Sequence, residues 1–194
     1  MVSWHPSRDG SDPTYDEPLR MLNLGGVPPE AHADLNACLR ASLQGAENTL
    51  RTGAATSVLL PPSGIIMHAD GMMDMLADYE VDYYYDDGAV LTALNTMFGQ
   101  VTGQAAELRC MALGYKVRMR APDGASPQDI TIAKSTEWQQ KDSEPPPGTV
   151  EAVCVDLEHR AGIAVRVFMP YTYQQQRLLL GGLLSVPYQP RVWR

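Results

Sequence analysis

Between Thr52 and Leu108 the chain has no lysine or arginine, yet that stretch holds eight acidic residues. Nucleic-acid binding requires clustered cations that displace counterions from phosphates, and adhesion to an anionic membrane surface requires the same sign of charge. Neither partner is expected here. Long apolar runs are missing too. The longest candidate, residues 178–186, is nine residues with two glycines, whereas a membrane-spanning helix needs about 20. The opening residues have no basic segment followed by an apolar one, so no signal peptide is expected and a cytoplasmic protein is the reading.

Cysteine is scarce. Cys38, Cys110 and Cys154 are an odd number with no CxxC spacing, which argues against a disulfide framework or a zinc site. Each lies in an apolar pattern, so all three are expected to be buried, reduced thiols. Linear catalytic signatures are absent as well: no GxSxG elbow, Walker A loop, GxGxxG, HExxH or EF-hand loop occurs. No catalytic residue, metal ligand or cofactor is assigned from sequence.

What is present is a charge asymmetry. The net charge of the 194 residues is −8. Residues 1–51 contribute −3, residues 52–108 contribute −8, and residues 109–194, with eleven basic and eight acidic residues, contribute +3. The central third therefore carries the equivalent of the whole net charge. The length suits one domain, taken as residues 29–194, behind an irregular segment, 1–28, rich in proline, glycine and aspartate.

Hydrophobic spacing gives the elements. Leu35, Leu39, Leu43, Ala46 and Leu50 form one stripe of a helix over 29–51, with Pro29 in its first turn and Gly53 at its stop. Residues 57–60 and 65–68 flank Pro61–Gly64 as a hairpin, and 71–77 read as a short helix behind Asp70. A helix over 88–101 carries the stripe Val90, Leu91, Leu94, Met97, Phe98 and Val101. Residues 105–113 fit either a helix stopped by Gly114 or, slightly better, a strand with a bulge at Gly114. Strands follow at 115–120, 129–135, 149–158 and 163–171, the last two joined as a hairpin near Gly162. The 149–158 strand is apolar on both parities and so belongs in the middle of its sheet. Short edge strands are expected within 178–186 and in the final PRVWR. The fold class is α+β, with helices packed on one face of a mostly antiparallel sheet.

The stretch DYEVDYYYDDG, residues 78–88, holds four tyrosines and five carboxylates. Tyr79, Val81, Tyr83 and Tyr85 share one parity and Glu80, Asp82, Tyr84 and Asp86 the other, the pattern of a strand with an inward aromatic face. Asp78, Glu80, Asp82, Tyr84, Asp86 and Asp87 are the candidate binding residues. Tyrosines supply rigid contact area, and carboxylates speed encounter with a basic surface. The expected function is a non-enzymatic binding module of immunity, inhibitor or regulatory type that docks a basic protein partner; the oligomeric state is not specified by the sequence. Two alternatives remain: a small carboxylate-dependent hydrolase or isomerase using His68 and nearby acids (Asp70, Asp74, Asp78), or a structural subunit of an assembly. Glu158 and His159 read as turn polarity, and Tyr171 and Tyr173 as a possible recognition surface.

Overall fold

The computed structural model describes residues 27–53, 60–77, 87–120, 131–132, 149–174 and 177–193. Among these residues two helices, α1 (Pro29–Gly53) and α2 (Asp87–Gly103), accompany eight strands: β1 (Ser63–His68), β2 (Met73–Ala77), β3 (Leu108–Arg120), β4 (Thr131–Ile132), β5 (Thr149–His159), β6 (Ile163–Gln174), β7 (Arg177–Leu180) and β8 (Leu184–Pro187). They make one sheet in the order β2-β1-β3-β5-β6-β7, with β4 beside β3 and β8 beside β6. Every pairing is antiparallel. This is the α+β class with helices packed against an antiparallel sheet.

The long strands β3 and β5 lie at the centre and are buried on both faces, although the second face of β5 carries the buried carboxylates Asp156 and Glu158 beside Ala152 and Cys154. Cys110 and Ala112 of β3, with Val153, Val155 and Leu157 of β5, pack against the α1 stripe. Alternate residues of β3, Met111 and Leu113, pack instead with Leu94, Met97, Phe98 and Val101 of α2. The helices thus divide between the two faces rather than sharing one. A strand apolar on both parities needs cover on both sides.

α1 follows its spacing. Every residue of the expected stripe is buried, joined by Cys38, and Pro29 occupies the first helical position, where its missing N–H costs nothing. All three cysteines are buried and free.

The region after α1 departs from expectation. Residues 71–77 are not helical: Met73–Ala77 pairs with β1, so the hairpin lies C-terminal to residues 63–68, not N-terminal to them. Its turn is Ala69–Gly71, and Gly71 has φ 90°, a conformation that side chains with a Cβ rarely adopt. The amide of Gly71 donates to His68 O, and that of His68 to Met72 O. A three-residue turn ending in a left-handed glycine is a strong hairpin former, and here it overrides the 3.6-residue spacing of Met72, Met75 and Leu76. The N-terminal arm of the hairpin expected at 57–60 falls, except for Leu60, outside the described residues.

In β3 the strand alternative holds. Its bulge is at Arg109, not Gly114: Met67 is opposite Cys110 while His68 is opposite Leu108, and the register is continuous from Cys110 to Arg120 against β5. Gly114 serves another purpose. A Cβ there would lie 2.8 Å from the Ser42 Oγ of α1, so the glycine lets the helix approach the sheet. β7 and β8 run along β6 as one interrupted edge, while residues 191–193 form no strand. The ends of the expected 129–135 strand beyond Thr131–Ile132 lie outside the described residues.

Gly114→Ala should lower stability by about 1–3 kcal/mol, the usual cost of overpacking a close contact. Combining it with Ser42→Ala, which removes the clashing oxygen, should recover most of the loss. Chemical denaturation of the two single variants and the double variant checks the coupling.

Candidate functional site

Two sites were expected from sequence. Asp78, Glu80, Asp82, Tyr84 and Asp86, with the inward parity of Tyr79, Val81, Tyr83 and Tyr85, lie outside the described residues. Asp87 opens α2. The chain enters that acidic segment directly from β2, and β2 is described.

Among the described residues β2 is the terminal strand of the sheet. Met72, Met73 and Met75 are 65%, 46% and 63% exposed. Directly opposite residues of an antiparallel pair share a face, so Met73 and Met75 stand on the same face as their partners Met67 and Ile65, beyond the cover that α1 gives. Asp74 stands on the other face, where its Oδ2 lies 2.8 Å from His68 Nε2; the Asp74 side chain is 62% exposed. Asp70 is exposed at the turn, and its carboxylate accepts the Met72 amide at 2.9 Å. Of the acids near His68, Asp70 and Asp74 are described, and these two do not converge on it together; Asp78 lies outside the described residues. His68 pairs across the hairpin with Asp74, and Asp70 stabilises the turn. Among the described residues no group of three or more His, Cys, Asp or Glu is placed to hold a metal ion.

The sequence reading missed a buried polar network on the α1 face. Asp34 lies on the inner side of α1. Its Oδ1 accepts from Arg109 Nη2 at 2.9 Å, and its Oδ2 is 3.2 Å from His159 Nε2. Arg109 also donates through Nη1 to the exposed Glu30 at 3.0 Å, and through Nε to Met67 Sδ at 3.3 Å. The Ala161 amide donates to His159 Nδ1 at 3.1 Å. An amide can only donate, so Nδ1 accepts and the imidazole proton lies on Nε2, directed at Asp34. Both ring nitrogens are engaged. A recess of about 340 Å³ opens beside this network between Pro28, Glu30, Arg109, His159 and Arg160.

The second missed cluster is on the other face. Asp156, almost wholly buried, accepts two hydrogen bonds from Arg166 (2.5 and 2.8 Å) and one from the Tyr115 hydroxyl at 3.1 Å. Arg166 is stacked on the Tyr188 ring at 4.7 Å. Next to it Glu158 is fully buried, and its two oxygens accept the amides of Arg191 and Val192, each at 2.8 Å. Arg191 covers the Phe98 ring at 4.6 Å, and Trp193 Nε1 donates to Ala105 O. Glu158 and His159 are thus not turn polarity. As neighbours on a strand they face opposite ways, and each satisfies a different buried layer. Tyr171 is buried in the α1 layer and offers no surface, whereas Tyr173 is 39% exposed while its hydroxyl donates to Leu50 O near the end of α1.

A sequence signal for the first network existed. Asp34 sits within the buried stripe beside Leu35 and Cys38, and a buried carboxylate requires a partner. The partner, Arg109, is the first cation after the cation-free stretch. The two are 75 residues apart, so nothing local pairs them.

No family model, curated protein or solved structure matches this chain. Among the described residues no helix is long and apolar enough to cross a membrane.

Arg166→Met strips Asp156 of its bidentate partner and should cost about 3–5 kcal/mol, because breaking a buried pair leaves an uncompensated charge. Adding Asp156→Asn should return part of that loss, which denaturant titration measures. Stability should also fall in alkali. Burial first, and then the nearby Asp156 carboxylate, raises the Cys154 thiol above its ordinary value. Burial raises the Tyr115 hydroxyl too, followed by Cys154 and Asp156, and burial with Asp156 pushes Tyr188 up to about 12. The unfolded chain releases these protons near about 8.5 for thiols and about 10 for phenols, while the folded state keeps them. Folding then binds protons, so stability is complete below those values and declines as pH rises through them. Melting temperatures recorded between neutral pH and pH 11 should decrease steadily from about pH 8.5 upward, and a flat profile would refute the burial argument.

Proposed function

We propose that the protein is a non-enzymatic binding module that docks a basic protein partner, of immunity, inhibitor or regulatory type, through its sheet edge and the acidic, tyrosine-rich segment that follows. The observation that carries this reading is the exposure of Met73 and Met75 on the strand that is terminal among the described residues, with Met72 just before it, beside the exposed Asp70 and Asp74. Methionine is flexible and polarisable, which suits an adaptable contact surface. An edge strand with apolar side chains and neither lysine nor proline is also a liability that proteins ordinarily blunt. Among the described residues nothing covers this edge, and the one charged side chain on β2, Asp74, is an acid that attracts a basic partner. The engagement of both His159 nitrogens and the exposure of the His68–Asp74 pair favour binding over catalysis, because neither imidazole stands free in a recess as a general base.

With a partner captured from native lysate in hand, association should slow as ionic strength rises, since the Debye length shrinks from about 30 Å at 0.01 M to about 8 Å at 0.15 M. The triple variant Glu80→Gln, Asp82→Asn, Asp86→Asn should slow association at unchanged or slightly higher stability. Stopped-flow kinetics and thermal melts read the two effects. A triple variant that associates at the wild-type rate would sink the proposal.

A further inference from the structure

Resting on that reading, we infer that the partner is held by strand addition: an extended segment, alternating basic and apolar residues, pairs with the outer edge of β2.

The backbone directions follow from the turn. In an antiparallel pair, opposed residues alternate between exchanging hydrogen bonds with each other and turning their N–H and C=O groups away. The His68 amide bonds to Met72 O, so residues 68 and 72 are a bonded pair. The alternation then makes Ile66–Asp74 and Gly64–Leu76 bonded pairs as well. Met73, Met75 and Ala77 direct their N–H and C=O groups outward, away from β1. Among the described residues β2 pairs with β1 alone. The outward backbone groups thus belong to the same positions as the exposed methionines Met73 and Met75.

This arrangement specifies the occupant. Residues of an added strand opposite Met73 and Met75 share their face, so apolar side chains are favoured there. Residues of the other parity share a face with Asp74, which favours lysine or arginine. Residues 52–108 hold no cation, and Arg109, which backs the turn, is paired with Asp34 and Glu30, so little positive charge opposes the approach. At the opposite end of the sheet the outer strands are short, and Pro187 lies within β8, so the β2 edge is the better template.

The test uses a short blocked peptide alternating lysine and valine, its analogue N-methylated at alternate residues, and the variant Met75→Pro. Because the Met75 amide points outward, proline there spares the β1–β2 bonds and removes only a donor to the added strand. The expected result is protection of the Met73, Met75 and Ala77 amides from hydrogen exchange when the peptide is present. N-methylation or Met75→Pro should weaken binding by about tenfold or more through the lost backbone hydrogen bonds, and the variant should melt near the wild-type temperature. If the variant melts low, the N-methylated peptide on the wild-type protein decides. Equal binding by the two peptides would overturn strand addition and leave docking by side chains standing. No binding of the alternating peptide, while the captured partner still associates in a salt-dependent way, would overturn strand addition alone. A partner whose association ignores both salt and the triple charge removal counts instead against the docking reading. Protection of the same amides on raising protein concentration without peptide would assign the edge to a second copy of the chain and overturn the inference.

Discussion

A carboxylate inside the apolar stripe of α1 has to be neutralised where it lies, and much of the architecture depends on how Asp34 is satisfied. A lone buried charge would cost several kcal/mol, so β3 and β5 each contribute a partner, Arg109 and His159. Arg109 can face α1 together with its neighbour Cys110 only because β3 takes an extra residue at that point. The same guanidinium backs the β1–β2 turn: a Cβ at Gly71 would lie 3.3 Å from Arg109 Nη2. One ion pair therefore sets the position of the helix on the sheet, the bulge in β3 and the seat of the hairpin that carries the exposed methionines.

The elements legible in the sequence were those with one dominant period. The stripe from Leu35 to Leu50, the α2 stripe from Leu94 to Val101, and the two-sided apolarity of residues 149–158 translated directly into α1, α2 and a central β5. Residues 71–77 misled because their methionines and leucine fit a helical spacing, while the deciding signal was a single glycine able to take a left-handed turn. The site was less legible than the fold. Charge asymmetry pointed to the central third of the chain, but the exposure of Met73 and Met75 depends on where α1 ends its cover, which no local pattern reveals. The buried partners of Asp34, Asp156 and Glu158 were illegible for a similar reason: Asp34 and Glu158 find theirs across the tertiary fold, and Asp156 meets Arg166 only through the register of β5 against β6.

The two faces of the sheet solve the same problem by different means. On one, α1 is tied down through side chains. On the other, α2 covers only part of β3, and the segment after β8 completes the layer, with Val192 and Trp193 against the α2 cluster. Glu158 makes that completion specific. Its carboxylate takes two consecutive backbone amides, so the segment is recognised by its main chain and needs no particular side chain at the bond.

The pairing of Asp34 with His159 also bears on the order in which the structure can assemble. The two residues are 125 positions apart in the chain. The β5–β6 hairpin closes through a tight turn and can form early, as can α1 by local contacts. The helix cannot settle on the sheet, however, until β3, β5 and the intervening chain have been gathered, and the entropy of closing that loop must be met before the hydrogen bond returns anything. Until then Asp34 stays hydrated and α1 has no preferred register. The contact that fixes the helix in the finished molecule thus belongs to a late, slow stage of folding, as expected for a topology dominated by distant pairings.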